Sequence, residues 1–168
     1  MNRFTIRKAI KEDCESIHRL IQELADYEKM PNGPQLDVKA LEKDGFGIRP
    51  FFEAFVAYSN ELNQIVGFAL YFFTYSTWQG KSLYMEDIYV QPQQRRKGVG
   101  LSLLRSVSQA ALAENCLRLN FSVLNWNLPS IEFYKSLGAL NLTEKEGWHC
   151  FRMNRCEMEQ LAKREVYI

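Results

Sequence analysis

Six consecutive residues, Arg95 to Gly100, carry the clearest chemical signal in this chain. They follow an extended apolar run, Leu83 to Val90, and they lead directly into helical spacing that begins at Leu101. A glycine-bearing turn between a strand and a helix can present backbone N–H groups and a helix N-terminus to an anion. The pattern therefore predicts a phosphate-binding turn.

The positions of Gly98 and Gly100 narrow the kind of phosphate ligand. A P-loop requires Lys and then Ser or Thr after its last glycine, whereas Leu101 and Ser102 follow here. A dinucleotide-binding turn requires a third glycine at the position of Leu103. Both motifs are excluded, and Arg-x-x-Gly-x-Gly remains. The alternative is that the glycines only form a tight turn beside a solvated basic patch.

Length and charge limit the classes of protein to consider. The 168 residues fit one domain, and 21 Lys and Arg against 20 Asp and Glu leave no global basic field for nucleic acid. No apolar run is long enough to span a bilayer, and the N-terminal residues lack the apolar stretch of a signal peptide. We therefore expect a cytoplasmic protein that binds neither nucleic acid nor membrane, with any anion site being local.

The cysteines and histidines favour neither disulfides nor a metal. They contain no C-x-x-C pair and no spacing that suits metal ligands. We expect buried free thiols in a reducing compartment, and no metal. These residues are Cys14, Cys116, Cys150, Cys156, His18 and His149.

Hydrophobic spacing predicts an α/β domain with a mixed sheet. The predicted strands cover Phe4 to Ala9, Phe52 to Tyr58, Ile65 to Tyr75, Lys81 to Val90 and Arg118 to Val123, with strand-like segments around Leu140 and from His149 to Met153. The predicted helices cover Glu12 to Lys29, Val38 to Lys43 (ended by Gly45 and Gly47), Val99 to Glu114 and Pro129 to Leu137.

Further segments along the chain carry a family resemblance. They are Ile21 to Glu28, Asp44 to Gly47, Tyr71 to Gly80, Tyr84 to Val90, Trp126-Asn127, Phe133 to Lys135 and Glu146 to Trp148. With the Arg-x-x-Gly-x-Gly turn, they resemble the GNAT superfamily of N-acetyltransferases, and within it the diamine branch of spermidine/spermine and thialysine acetyltransferases.

The resemblance implies a fold, a co-substrate and an assembly. The fold would be the GNAT fold, a mixed central sheet flanked by helices, as one N-acetyltransferase domain over residues 1–168 with a CoA-binding core at about 81–137. Acetyl-CoA would be the co-substrate. A homodimer is also implied, with Arg155 to Lys163 exchanged or packed across the two-fold axis.

The resemblance also implies the residues that hold acetyl-CoA. Backbone groups of the turn would face the pyrophosphate with charge added by Arg95 or Lys97, and a strand backbone would pair with the pantetheine amides. Asn127 has an alternative role as a helix cap. The implied cofactor residues are Ile88, Tyr89, Val90, Arg95, Arg96, Lys97, Gly98, Val99, Gly100, Leu101, Asn127, Ser130 and Tyr134.

Two residues match the catalytic pair of the family. An amine of pKa ~10 arrives protonated, so a base is needed, and Glu86 is the candidate, directly or through water. Tyr134 matches the general acid that protonates the departing thiolate. The alternatives are a strand carboxylate that faces solvent for Glu86 and an amphipathic core tyrosine for Tyr134.

Acidic and aromatic side chains match the substrate side of the branch, as expected for a cationic amine. They are Tyr27, Glu28, Trp78, Glu86, Asp87, Asn120, Phe121, Ser122, Glu146 and Trp148. The chain departs from the spermine-using members at Ser76 and Asn125, where they carry acids, and this favours a short, thialysine-like amine. Arg96 stands where the family usually has glycine, which leaves the approach of its backbone to the pyrophosphate open.

These features predict an acetyl-CoA-dependent N-acetyltransferase that acts on a small diamine, a polyamine or a lysine analogue. One alternative is a catalytically silent module that binds acyl-CoA or a partner, although cofactor binding alone would require neither Glu86 nor Tyr134. The other is a protein N-acetyltransferase, which would need an open groove for a peptide.

Overall fold

A computed structural model describes residues 3–165 of the chain. The chain up to Leu124 forms one compact unit, and the chain from Asn125 onward forms a second, smaller one. The prediction of a single domain over residues 1–168 stays a prediction.

The larger unit is a five-stranded sheet with three α-helices among its described residues. The strands are β1 (Phe4–Lys8), β2 (Glu53–Ser59), β3 (Gln64–Ser76), β4 (Gly80–Val90) and β5 (Leu119–Phe121). The helices are α1 (Cys14–Tyr27), α2 (Val38–Phe46) and α3 (Val99–Ala113). The strands lie in the order of the sequence, antiparallel from β1 to β4, with β5 parallel to β4. The predicted α/β fold with a mixed sheet flanked by helices is confirmed.

Helices α1 and α3 cover opposite faces of this sheet. Ile17 and Leu20 of α1 are fully buried in a cluster that also contains Tyr89 of β4. The next strand residue, Val90, lies against Gly100 of α3. Because successive side chains of a strand point to opposite faces, the two helices pack on different sides.

A partly buried ion pair fixes the start of α1 to the first strand. Arg7 donates two hydrogen bonds to Asp13, at 2.6 and 2.8 Å, and the Ile10 N–H donates a third at 2.8 Å. Burial by itself would raise the pKa of Asp13, but the hydrogen bonds from Arg7 and Ile10 outweigh it and hold that pKa below its usual value.

One predicted boundary is wrong in the second helix. Helix α2 continues through Gly45 to Phe46 instead of ending at Lys43, and its C-cap is Gly47. Glycine at position 45 serves packing, because a Cβ there would overlap the ring of Phe52. The composition rule that glycine ends a helix therefore fails at this position.

The smaller unit is helical where it is regular. It contains α4 (Leu128–Ser136), α5 (Leu142–Glu146) and α6 (Arg155–Ala162). The strands predicted around Leu140 and over His149 to Met153 are wrong, because residues 125–165 contain none. The Asn141 side chain instead accepts hydrogen bonds from backbone N–H groups at the start of α5. The later apolar segment is exposed and forms no strand ladder.

The two cysteines of the larger unit are buried, and the two cysteines of the smaller unit are exposed. Cys14 and Cys116 are buried, and burial raises the pKa of the Cys14 thiol to about 11. Cys150 and Cys156 are exposed, so the prediction of burial is wrong for these two. Among residues 3–165, no helix combines the length and the apolar character needed to cross a bilayer.

Candidate active site

The turn between β4 and α3 has the backbone shape of an anion site. Arg96 and Gly98 both adopt left-handed φ angles, 61° and 83°. The first hydrogen bond of α3 runs from the Ser102 N–H to the Gly98 carbonyl at 3.0 Å. The N–H groups of residues 99–101 therefore lie at the open end of the helix, where they can donate to an anion. Arg96 supplies the conformation that glycine would favour, at a cost of roughly 1–2 kcal/mol.

Basic side chains line a cavity beside the same turn. The cavity holds about 560 Å³ and lies between the first strand and the first turn of α3. Its basic lining residues are Arg3, Arg96 and Lys97, with Phe4 and Ile6 of β1 also in its wall. Sequence reasoning missed Arg3, because only the packing of α3 across the sheet brings β1 next to this turn.

Arg95 points away from that cavity. Its Nε donates to the Val90 carbonyl at 2.9 Å. Its guanidinium carbon lies 4.8 Å from the centre of the Tyr27 ring and 5.5 Å from that of Tyr89. Both distances fall within the range of a cation–π interaction. Arg95 thus connects the turn with the end of α1 and with the strand.

Strand β4 has an edge that is open for part of its length. Its parallel ladder with β5 ends at the pair Met85 and Phe121, whereas β4 continues to Val90. On the other side, residues 88–90 stay paired with β3. The close approach there requires Gly67, because a Cβ at that position would come within 2.7 Å of the Tyr89 carbonyl. The open edge can pair with an amide-bearing ligand as an added strand does.

A β-bulge decides which of two adjacent carboxylates faces solvent. Asp87 pairs with Leu70 and Met85 pairs with Tyr71, so Glu86 is the extra residue of β4. Glu86 is exposed, and Asp87 is half-buried. Burial, with smaller effects of the Glu86 and Glu28 charges, raises the pKa of the Asp87 carboxyl to about 6.

The end of α1 contributes to the same group of carboxylates. Glu28 is the C-cap of α1, directly after Tyr27, and burial raises its pKa. Its charge acts on Asp87, as does that of Glu86. The larger unit thus groups Glu28, Glu86 and Asp87, three of the residues that the sequence analysis assigned to the substrate side.

Residues of strand β5 and the residue that follows it flank this group of carboxylates. Asn120 pairs with Tyr84, and Phe121 pairs with Met85, one residue before Glu86. The hydroxyls of Ser122 and Tyr84 are 2.7 Å apart. This hydrogen bond spans the two strands next to the point where their ladder ends.

Among the predicted substrate-side residues of the larger unit, Trp78 lies away from the carboxylates. It lies in the turn between β3 and β4 and is 81% exposed. The rise of a strand separates it from Glu86 by roughly 20 Å along the hairpin. The Ser76 hydroxyl shapes the same turn, because it accepts from the N–H groups of Trp78 and Gln79 at 3.2 and 3.3 Å.

The smaller unit carries the remaining predicted residues. Asn127 is buried at the N-cap of α4, but its side chain makes no capping bond; its carbonyl accepts from the Ser130 N–H at 3.1 Å. Tyr134 follows Ser130 by one helical turn, and burial raises the pKa of its phenol to about 12. Glu146 and Trp148 are exposed, and the indole N–H donates to the carboxylate at 2.7 Å.

Comparisons with known proteins identify the family. The acetyltransferase (GNAT) family matches residues 15–139. The thialysine N-epsilon-acetyltransferase of Bos taurus is 44% identical over 94% of this chain and 96% of its own. The spermidine/spermine N(1)-acetyltransferase-like protein 1 of Homo sapiens is 43% identical over 98% of this chain but only 24% of that longer protein.

The chain belongs to the acetyltransferase (GNAT) family.

Solved structures agree with this fold. An integron cassette protein of V. cholerae has a TM-score of 0.78 at 23% identity and covers 98% of this chain and all of its own. An aminoglycoside acetyltransferase from a soil metagenome has a TM-score of 0.74 at 20% identity, over 92% of this chain and 98% of its own. The family and fold predicted from the sequence are confirmed.

GNAT acetyltransferases use acetyl-CoA as co-substrate, and the turn fits that molecule. Open N–H groups and basic side chains suit the pyrophosphate, and the free edge of β4 suits an amide-bearing arm. The fit rests on backbone shape more than on any one side chain.

We predict that Gly98→Ala weakens acetyl-CoA binding. A Cβ meets no other atom there, but the left-handed φ disfavours it by about 1–2 kcal/mol, which would raise the Kd for acetyl-CoA about tenfold. Calorimetric titration measures this Kd. Gly80→Ala is the matched control, since Gly80 has φ +85° and equal space in the β3–β4 turn. Equal Kd values in the two variants would contradict the assignment of the turn.

Proposed function

We propose that this acetyltransferase transfers the acetyl group of acetyl-CoA to a primary amine of a small diamine or a lysine analogue such as thialysine. Direct attack in a ternary complex is sufficient, without a covalent enzyme intermediate. The observation that carries the proposal is the group of carboxylates, Glu28, Glu86 and Asp87, beside the open edge of β4. Carboxylates attract an ammonium group. The relatives named thialysine N-epsilon-acetyltransferase support the same substrate class.

The reaction forms a C–N bond, breaks a C–S bond and removes two protons from the ammonium nitrogen, one before attack and one from the tetrahedral intermediate. The thiolate gains one proton, and the other passes to solvent. The thioester supplies an activated acyl group. We assign removal of the ammonium proton to Glu86, because its exposed carboxylate is within reach of water that can relay the proton. We assign protonation of the thiolate to Tyr134, because its phenol is protonated at neutral pH, and the second proton that the nitrogen loses restores the phenol.

Two sets of residues complete the proposed site. The backbone of residues 88–90 and the turn Arg95 to Leu101 would hold acetyl-CoA, together with Asn127, Ser130 and Tyr134. Amine-side contacts would come from the carboxylate group and from Tyr27, Asn120, Phe121, Ser122, Glu146 and Trp148, whereas Trp78, roughly 20 Å from Glu86 along the hairpin, would meet only the far end of a long amine. Carboxylates and aromatic faces suit a cationic chain, and backbone N–H groups and basic side chains suit a phosphorylated cofactor.

The proposal also concerns the length of the preferred amine. Ser76 and Asn125 are neutral where the spermine-using members of the branch carry acids. Each missing carboxylate removes attraction for a further ammonium group of a long polyamine. A short amine loses nothing from their absence, so we propose that thialysine is preferred over spermine.

A thiol-release assay with acetyl-CoA tests this preference. We expect kcat/KM to fall in the order thialysine, spermidine, spermine, and to be lowest for a histone-tail peptide. The double variant Ser76→Asp/Asn125→Asp should raise kcat/KM for spermine about tenfold by restoring two charges, with little change for thialysine. Spermine ranking first with the unaltered chain would contradict the preference.

Two variants in the same assay separate chemistry from binding. Tyr134→Phe and Glu86→Gln should each lower kcat about 10²- to 10⁴-fold, because each removes one proton-transfer group. The Kd for acetyl-CoA should stay within about threefold for Glu86→Gln, whereas Tyr134→Phe, which loses one hydrogen-bonding group at the cofactor, should raise it by up to about tenfold. If the unaltered chain binds acetyl-CoA and releases no thiol with any amine, it is a silent acyl-CoA-binding module.

The amine KM should depend on pH through Asp87. Its pKa is raised to about 6, so the carboxylate is ionised above that pH and becomes neutral as the pH falls through it. We predict an amine KM that rises about tenfold per pH unit below 6. Asp87→Asn should have a high KM that lacks this step.

The stability of the protein gives an independent test of the raised pKa of Asp87. A raised pKa means that the native state binds the proton more tightly than the unfolded state, so ionised Asp87 destabilises the fold above pH 6. Asp87→Asn should therefore raise the melting temperature at pH 8 by about 2–8 °C and change it little near pH 4. A melting temperature that falls equally at both pH values would contradict this account.

We further propose a homodimer, located in the cytoplasm. Residues 147–165 are exposed throughout, although they include apolar side chains such as Phe151, which is 90% exposed, and Leu161. Apolar surface of this extent usually marks an interface, and the family resemblance points to a second copy as its occupant.

Light scattering during gel filtration measures the mass of the assembly. We expect a mass of about 39 kDa, twice the 19.7 kDa of one chain. Phe151→Glu/Leu161→Glu should give single chains, because burying these charges opposes association. Leu112→Glu is the control, since Leu112 is equally exposed but belongs to α3. A single chain at tens of micromolar protein would contradict the dimer.

A further inference from the structure

We propose that Arg95 is a positioning residue that couples the acetyl-CoA turn to the amine side through Tyr27, in addition to any charge it presents to phosphate. The inference rests on the proposed function, because it concerns how two parts of that site are held in register. It assigns Arg95 an effect on the amine, which the residue need not touch.

The orientation of Arg95 is fixed by three contacts. Its Nε donates to the Val90 carbonyl at 2.9 Å, which fixes the guanidinium beside the last residue of β4. From there the guanidinium lies over Tyr27 at 4.8 Å and Tyr89 at 5.5 Å. Tyr89 is buried, so one of the two rings is rigidly held.

Each ring belongs to a different part of the proposed site. Tyr27 is the last residue of α1 and precedes the carboxylate Glu28. Tyr89 lies in the part of β4 that continues beyond the ladder with β5. A movement of Arg95 would therefore change the position of the end of α1 relative to β4.

A second link ties α1 to the residue after β4. The Glu23 carboxylate accepts from the Gln91 amide at 3.0 and 3.2 Å and from Arg19 at 2.7 Å. It also acts on the Tyr89 phenol, whose pKa is raised mainly by burial and next by the Glu23 charge, while Arg95 lowers it. With Glu23 already fixed, the contact between Arg95 and the Tyr27 ring adds a further link, in the last turn of α1.

The planar guanidinium is essential to this role. It can donate in its plane to Val90 while its face lies against aromatic rings. The ammonium of lysine carries the same charge but has no plane, so Arg95→Lys keeps the electrostatics and removes the geometry. Lys97 provides the opposite test, because its hydrogen bond stays within the turn: its Nζ donates to Gln94 at 2.8 Å.

Steady-state kinetics with acetyl-CoA and thialysine test the proposal. Arg95→Lys should raise the amine KM about three- to thirtyfold, because an ammonium that donates to Val90 cannot also lie over the Tyr27 ring, and should change the KM for acetyl-CoA less. Lys97→Met should raise only the KM for acetyl-CoA. In a Tyr27→Leu background, which lacks the ring, Arg95→Lys should add less than about twofold to the amine KM.

Hydrogen exchange gives a readout that needs no substrate. The Arg95→Lys protein should exchange faster at residues 25–30, the end of α1, while Lys97→Met should match the unaltered chain there. An Arg95→Lys protein with unchanged exchange overturns the proposal, as does one that raises only the KM for acetyl-CoA. If the unaltered chain acetylates no amine, the proposed function fails, and exchange alone still decides the role of Arg95.

Discussion

Strand β4 has different neighbours along its length, and the rest of the site depends on this. It pairs with β3 from end to end, but with β5 only from Leu83 to Met85. Beyond Met85 the backbone keeps hydrogen-bonding groups that the sheet itself does not use on that side. A sheet interior with unused groups would be costly, so the arrangement suits a strand that pairs with a ligand.

The rigidity of α1 follows from contacts at both of its ends. Asp13 ties the start to Arg7, and Glu23 ties the last turns to Gln91. Between these links, Ile17 and Leu20 bury their side chains against the sheet. A helix held in this way can keep side chains at its C-terminal end in place against the repulsion among the nearby carboxylates.

The ionised Asp87 carboxylate destabilises the fold, but it suits the binding of a cation. Its half-buried carboxylate has no basic side chain among the causes of its raised pKa, which are burial and two like charges. An apolar residue would stabilise the fold more, because burial of an ionised group is unfavourable. A cationic ligand beside Asp87 would remove the conflict by supplying the missing charge.

Local chemistry let the sequence alone determine the cofactor turn, the hairpins and the amphipathic helices. Gly98 needs a left-handed φ, and Ile17 and Leu20 follow helical spacing, so neighbours along the chain carry the information. Only the tertiary structure decided three features: the exposure of Glu86, the orientation of Arg95 and the absence of strands in residues 139–154. A bulge, a ring stack and a strand ladder each need a partner that is distant in sequence, and residue types at one position do not specify that partner.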